Sequence, residues 1–536
     1  MHKRILAALA AVCLMLCGLT ACGDDGTGAG FRFPLEAEPA GLDPQMATDT
    51  ASITAISTLF EGLTRLDETG NAVPGAAQWT VSEDGLTYTF TLFESYWCSN
   101  QVKGQESPWD QPTPVTADDF LFAFQRAVDP VTGSPLAAEF YGIRNAEAVH
   151  TGQKPMTDLG VTAVDERTLV IALTTPDHRF LVKLAGTPFM PCNRAFFEHT
   201  AGRYGLEKEY VLSNGAFRLV AWNHNESLLF YKHEQYHAAA EIAPEAVRYV
   251  IGTADPVEAL RTGGLDAAPL PAGQTADTMT SLQDTLRGLW FNTTASPFTV
   301  AAIRRSLRDS IEWETLHHQL VKRCGEQPAT GFVPPEALVG GTEKYRAPDN
   351  ALPYGTDKQA ALEAMQTGLG LLYPDGGKLR FELLAADDPL SADLARYVVQ
   401  SWHKNLQVYP TVTLLPAADL ERRVKSGNYQ AAIYTFSPTG LTGAENLSCF
   451  ASAATNNIAR LQDAGIDTAI RDALAGGRVQ LETLEKKLWE LCPCVPLSYP
   501  ERYYGVADGT EHIIPLPFGG GRYNGPLYFR NALKWD

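Results

Sequence analysis

Between residues 379 and 436 the hydrophobic pattern changes period four times, and that alternation limits the fold more than any other part of the chain. Residues 379–384, 412–415 and 431–436 are short apolar runs with strand character. Residues 390–406 and 417–424, between them, carry apolar side chains at helical spacing. A β-α-β-α-β run of this kind folds as parallel strands with helices on both faces, and ligands sit beyond the carboxyl ends of such strands. A further helix over 480–491 leads into an extended run at 495–499.

The first half is built differently. Residues 86–92 alternate large apolar with polar side chains and predict a half-buried strand. Thr116 caps a helix that runs through Phe120, Phe124 and Val128, with Asp119 placed to complete a capping-box pair and Asp129-Pro130 to end it. Residues 168–173 form another strand. Residues 215–222 and 227–231 flank Asn223-His224-Asn225-Glu226 and predict a hairpin. At 536 residues the chain is too long for one core. Two differently built halves point to an α/β protein of two lobes, with a ligand in the cleft between them.

The N-terminus has the layout of an export signal: Lys3 and Arg4, an apolar stretch over 5–19, then Leu19-Thr20-Ala21-Cys22. The apolar stretch is too short to span a bilayer. Residues 23–30 follow as a small, polar tether that cannot bury anything. Net charge is −19, more negative still without Lys3 and Arg4. No basic patch is available to neutralise phosphates, which argues against a nucleic-acid partner; such acidity favours a soluble monomer. Beyond Cys13, Cys17 and Cys22, six cysteines remain: Cys98, Cys192, Cys324, Cys449, Cys492 and Cys494. In an exported protein six permit three disulfides, in about fifteen connectivities that sequence does not separate. Cys492-Pro493-Cys494 lacks the spacing of a redox pair or a zinc site and is expected to be structural.

Several segments resemble one family. Leu19-Thr20-Ala21-Cys22 is similar to the lipobox of bacterial lipoproteins, which implies removal of residues 1–21 and a diacylglycerol on Cys22. Glu38-Pro39-Ala40-Gly41-Leu42-Asp43-Pro44, Glu61-Gly62-Leu63-Thr64-Arg65, Val73-Pro74-Gly75-Ala76-Ala77 and Ser82-Glu83-Asp84-Gly85-Leu86 occur in that order. They are followed by Pro114-Val115-Thr116-Ala117-Asp118-Asp119-Phe120, Ser213-Asn214-Gly215-Ala216-Phe217 and Asn292 with Pro297-Phe298. Together they resemble the extracellular solute-binding proteins, family 5, of oligopeptide, dipeptide and nickel ABC importers. Asp129-Pro130, Gly133-Ser134-Pro135 and Thr151-Gly152-Gln153-Lys154-Pro155 are closest to the oligopeptide branch.

That resemblance implies a two-lobed periplasmic-binding-protein fold (class II, cluster C type) with an inserted domain. Lobe I would comprise 31–55, 166–285 and 495–536, the inserted domain 56–165, and lobe II 286–494. Two crossings, near Leu289-Trp290-Phe291 and Val495-Pro496-Leu497, would form a hinge that closes on ligand. The implied function is capture of a small, peptide-like solute for ABC permease subunits by a lipid-anchored, extracytoplasmic monomer, without enzymatic activity, cofactor or metal. A sensor lipoprotein of the same fold, or a binder of a non-peptide solute, is the alternative. An exported hydrolase would need paired acids or a nucleophile with its base, and the sequence nominates none.

The resemblance also supplies candidate ligand contacts. An extended peptide would be framed, like an added strand, by Thr48-Asp49-Thr50-Ala51 and Tyr434-Thr435-Phe436-Ser437. Trp290, Trp402 and Tyr499 match aromatic positions near the cleft, although a lone aromatic is more often core. Thr439 stands where peptide-binding members often carry an aspartate for the ligand's ammonium. Ser391, Val424 and Ile433 stand where basic residues would meet its carboxylate. A buried ammonium without a partner is costly, so a longer or modified peptide, or a neutral or hydroxylated solute, fits better unless another carboxylate, such as Asp49, reaches that spot. His233 and His237 are four apart, and Glu314 with His317 three apart. Neither pair has the further ligands of a metal site, so the first is expected at a hairpin end and the second on a solvated helix face.

Overall fold

The computed structural model describes residues 30–99, 109, 111, 113–177, 179–271, 274–320, 325–340 and 343–534. The export signal, Cys22, most of the tether and Cys324 lie outside the described residues.

Lobe I is organised on a four-stranded sheet. Gly30–Leu35 pairs in parallel with Ala246–Ile251, which pairs antiparallel with Ser227–Lys232, itself the partner of Phe217–Asn223. The last two strands are the expected hairpin. Phe31, Phe33 and Leu35 face inward on alternate positions of the first strand. A second, antiparallel sheet runs in the order Ala77–Val81, Thr87–Leu92, Thr168–Ala172, Val161–Asp165. In Thr87–Leu92 the buried residues are Tyr88, Phe90 and Leu92, as the alternation predicts. This sheet continues past residue 165, because Val161–Asp165 turns directly back into Thr168–Ala172. Helix Ala117–Val128 packs on it, its start fixed by Asp119 accepting from the backbone N–H of Thr116 at 2.8 Å and its hydroxyl at 3.2 Å. One continuous core joins both sheets, from Phe31 and Phe33 through Phe90, Phe124 and Ile171 to Phe217 and Phe230.

Lobe II has a six-stranded sheet ordered Gln327–Pro328, Cys494–Tyr499, Leu286–Phe291, Ala431–Phe436, Glu382–Ala386, Thr411–Leu415. Glu382–Ala386 runs parallel to both Thr411–Leu415 and Ala431–Phe436, so the β-α-β-α-β run folds as expected, its first strand starting three residues late. The two helices take opposite faces. Pro389–Leu406 places Leu394, Val398 and Trp402 in one core cluster, and Ala417–Ser426 places Leu420 and Val424 in the other. Neighbours on one strand divide the same way: Leu289 and Phe291 point to the first cluster, Leu286 and Trp290 to the second.

A small third sheet explains how the lobes connect. Arg502–Val506 pairs antiparallel with both Ala267–Leu270 and Thr278–Leu282. A few residues away, Leu286–Phe291 and Cys494–Tyr499 pair with each other in the lobe II sheet. The two connections are therefore 283–285 and 500–501, side by side. This corrects the expected crossings: Leu289-Trp290-Phe291 and Val495-Pro496-Leu497 are fully buried strand residues of lobe II. At the true crossing Arg502 Nε donates to Asp284 Oδ1 at 2.7 Å, Asp284 Oδ2 accepts from the N–H of Phe518 at 2.8 Å, and Thr285 Oγ1 donates to the carbonyl of Pro500 at 3.2 Å.

Three disulfides are not formed. Cys192, Cys449, Cys492 and Cys494 are buried free thiols, and burial pushes the Cys192 thiol up to about 12. Among the described residues no helix is long and apolar enough to cross a membrane.

Candidate functional site

Strand Ala431–Phe436 ends at the seam between the lobes, and the chain then turns through Pro438, Thr439 and Gly440 before Thr442 opens helix Gly443–Leu447. Thr442 Oγ1 accepts from the N–H of Glu445 at 3.3 Å, and Glu445 Oε2 accepts from the N–H of Thr442 at 3.0 Å. That reciprocal pair fixes the Glu445 side chain at the helix start. The turn and helix form one wall of a cavity of about 580 Å³. Arg179 and Lys183, together with Arg522 and Tyr523 of the C-terminal tail, form the opposite wall, and Glu139 closes one end. The cavity thus lies beyond the carboxyl end of a central parallel strand, where open α/β sheets place ligands.

The charges on these walls are matched. Arg179 Nη1 reaches across the seam to Glu445 Oε1 at 2.8 Å. Lys183 pairs with Asp177 at 2.5 Å. Arg522 pairs with Glu139 at 3.1 Å, and the Tyr523 hydroxyl donates to the same carboxylate at 2.8 Å. Burial alone would raise the Asp177 carboxyl, but the Lys183 charge and hydrogen bond, with the Arg179 N–H, hold it below its ordinary value. Burial and the Glu139 charge raise the Tyr523 phenol, so it stays a neutral donor. With every wall cation facing a carboxylate, the cavity suits a ligand without large net charge.

Apolar contact between the lobes continues beside the cavity. Phe518 of the tail lies inside a lobe II core cluster, and Leu66 and Val182 pack against it. Gly521 lies against Leu441, where an added Cβ would meet Leu441 Cγ at 3.1 Å.

Of the residues nominated from sequence, Phe436 and Thr439 line the cavity. Thr48, Asp49, Thr50 and Ala51 do not; Asp49 accepts from the N–H of Ser52 at 2.8 Å and caps helix Thr50–Leu59. Trp290 stacks on Phe450 and donates to the Tyr434 carbonyl at 3.0 Å. Trp402 donates to the Leu307 carbonyl at 2.8 Å, and Tyr499 to the Gly331 carbonyl at 2.9 Å. All three aromatics are buried with their polar atoms satisfied, and none lines the cavity. Tyr434 and Thr435 are half-buried and Ser437 is exposed; the Tyr434 phenol is pushed up to about 12 by burial. Ser391, Val424 and Ile433 are buried.

A carboxylate does stand near Thr439, since Glu445 packs directly against Gly440, but its two oxygens are engaged by Arg179 and by the N–H of Thr442. Arg179, Lys183, Glu445, Asn446 and Arg522 were not nominated from sequence. They come from separate segments, and only the capping-box spacing Thr442-x-x-Glu445 carried any signal.

Neither histidine pair forms a metal site, and no cluster of three or more His, Cys, Asp or Glu suited to a metal occurs among the described residues. His233 Nδ1 faces the Gly215 carbonyl at 3.1 Å. His237 does meet a carboxylate, Glu61 Oε2 at 2.6 Å, but Tyr236 and Arg530 already share that acid. Burial would raise the Glu61 carboxyl, yet the His237 hydrogen bond and Arg530 charge hold it below its ordinary value. Glu314 is exposed, whereas His317 is half-buried beside Trp313 and Tyr354 rather than solvated.

Residues 72–457 match the model of bacterial extracellular solute-binding proteins, family 5. The chain is 30% identical over 421 residues to the oligopeptide-binding protein OppA of Bacillus subtilis (strain 168), covering 73% of this chain and 74% of that protein. It is 27% identical over 459 residues to the probable deoxycholate-binding periplasmic protein YgiS of Escherichia coli (strain K12), covering 83% and 82%. The structure is similar to that of the substrate-binding domain of an oligopeptide ABC transporter from Bacillus anthracis, with a TM-score of 0.69, 25% identity, and coverage of 94% of this chain and 98% of that one. A two-lobed class II periplasmic-binding-protein architecture, a ligand-sized cavity at its seam and a family match over most of the chain lead to one conclusion: this chain belongs to the extracellular solute-binding proteins of family 5, which bind solutes and are not enzymes.

Proposed function

We propose that this protein captures a peptide in the cavity between its lobes and delivers it to the permease of an ABC importer, held at the outer face of the cell membrane by a lipid on Cys22. The observation that carries the reading is the cavity itself. At about 580 Å³ it falls in the range that encloses a drug-sized ligand. Its walls belong to bodies joined by two short connections, so closing around a guest needs only rotation at 283–285 and 500–501. Phe436 supplies an apolar face and Thr439 a hydroxyl to the ligand.

The test is native mass spectrometry and calorimetry of the purified protein with pooled tetrapeptides. Bound peptide mass, and a thermal midpoint that rises with peptide concentration, are the expected results. Binding of a steroid or sugar with no binding of peptide would replace the peptide with a neutral or hydroxylated solute, the second reading, which the matched wall charges and Thr439 also support. Delivery predicts that peptide uptake by cells requires both this protein and a permease. The anchor predicts that Cys22→Ser releases the protein into the medium.

A further inference from the structure

Asn446 lies on the lobe II wall of the cavity, in helix Gly443–Leu447, and is 3% exposed. Neither its Oδ1 nor its Nδ2 has a hydrogen-bond partner among the described residues, although both are shielded from solvent. A buried carboxamide with donor and acceptor both unspent is rare in folded proteins, because each atom loses water without replacement. Facing it across the seam, Arg179 is in a related condition. Its Nη1 is held by Glu445 at 2.8 Å, while its Nε is buried and has no partner among the described residues. The other charged groups of the walls are paired with one another. Among the buried side-chain atoms of the described cavity lining, those without a partner are therefore one amide acceptor and one amide donor on Asn446 and one guanidinium N–H on Arg179.

That set has a specific complement. In an extended chain the N–H and C=O of one residue point to the same side, which is how strands exchange paired bonds. A carboxamide presents an acceptor and a donor at similar separation, without charge. Resting on the cleft reading above, we propose that Asn446 recognises the ligand's backbone: its Oδ1 accepts from the N–H of one peptide residue, its Nδ2 donates to the C=O of that residue, and Arg179 Nε donates to a neighbouring carbonyl. The ligand class is an extended peptide gripped through uncharged amides at an internal residue, so blocked and free termini are both admitted. Separation of the lobes uncovers Asn446 and their closure seals the paired amides from water, which makes the contact specific to the closed, loaded state.

The experiment compares the wild-type protein with Asn446→Leu. Thermal unfolding is followed without ligand, and calorimetry is run with tetraalanine, N-acetyl-tetraalanine amide and a pooled tetrapeptide library. The free variant is expected to unfold at the same temperature as wild type or higher, since it loses no bond present in the free protein. Its peptide affinity is expected to fall by about tenfold or more, equally for blocked and free peptides. A free variant that melts several degrees lower shows a structural role and overturns the assignment, as does peptide affinity equal to wild type. Loss of affinity for the free peptide alone points to a terminal-charge contact and also overturns it. Wild-type protein that binds no peptide overturns the peptide reading itself, and this assignment with it, a result distinguishable because it appears before the variant is made.

Discussion

Asp43 shows what one of the motif residues does. Arg126 Nη2 pairs with Asp43 Oδ2 at 2.6 Å and its Nη1 donates to Gln45 Oε1 at 2.8 Å, all largely out of water. Replacing Arg126 with Ala strands a buried carboxylate, and a loss of about 3–5 kcal/mol in chemical denaturation is expected. Glu61 and Asn214 form a second brace: the N–H of Glu61 donates to Asn214 Oδ1 at 3.1 Å, and Asn214 Nδ2 donates to the Glu61 carbonyl at 2.9 Å. Gly62 and Gly75 sit so close that a Cβ on Gly75 would lie 2.6 Å from the Gly62 carbonyl oxygen. These positions were legible because close backbone packing and buried ion pairs demand particular residue types. The cavity residues were not, because Arg179 and Glu445 are 266 positions apart and either would serve equally on any solvated surface. Asp119 carries a pH prediction. Burial outweighs the hydrogen bonds it accepts and raises its carboxyl to about 6. The native state then holds the proton more tightly than the unfolded chain, so this group's stabilisation is full below the ordinary aspartate value and is lost as pH rises through about 6. The Trp97 indole N–H, which donates to Asp119 at 3.0 Å, should titrate with a midpoint near 6; a midpoint below 5 would contradict the burial argument.

Among the elements, strand periodicity and helix caps were read with errors of a few residues, and the crossing between lobes shows why the rest was lost. Both crossings carry polar residues, Gln283-Asp284-Thr285 and Glu501, but polar residues also stand inside the strands they join, at Thr280, Ser281, Arg287 and Ser498, so polarity alone does not mark where a strand leaves one sheet for another. Only pairing partners separate Thr278–Leu282 from Leu286–Phe291, and pairing is non-local. At that crossing Asp284, whose side chain is 1% exposed, holds both Arg502 and the Phe518 N–H. Asp284→Ala is expected to cost about 2–3 kcal/mol, the value of hydrogen bonds to a charged group. It also frees the tail segment around Phe518, which faster hydrogen exchange at 517–521 would reveal.

For the molecule as a whole, the arrangement of cores predicts how it comes apart. Lobe I and the inserted segment share one continuous cluster, while lobe II has its own pair on either side of its sheet. Calorimetry should therefore resolve two transitions, with the inserted segment melting together with lobe I; a third, independent transition would contradict the shared core. Across the seam the Arg179–Glu445 pair favours the shut arrangement. Glu445→Gln should increase the radius of gyration of the ligand-free protein in small-angle scattering, and raising salt should narrow the difference from wild type, since that carboxylate is partly open to solvent. The double linkage between the lobes also bears on damage. A protease that nicks 283–285 leaves 500–501 intact, so the halves stay tethered and in register, whereas severing both lets them drift apart. Two neighbouring links of unequal length moreover behave as a leaf joint rather than a swivel: swinging is easy, twisting is opposed, and each shutting brings the same faces together.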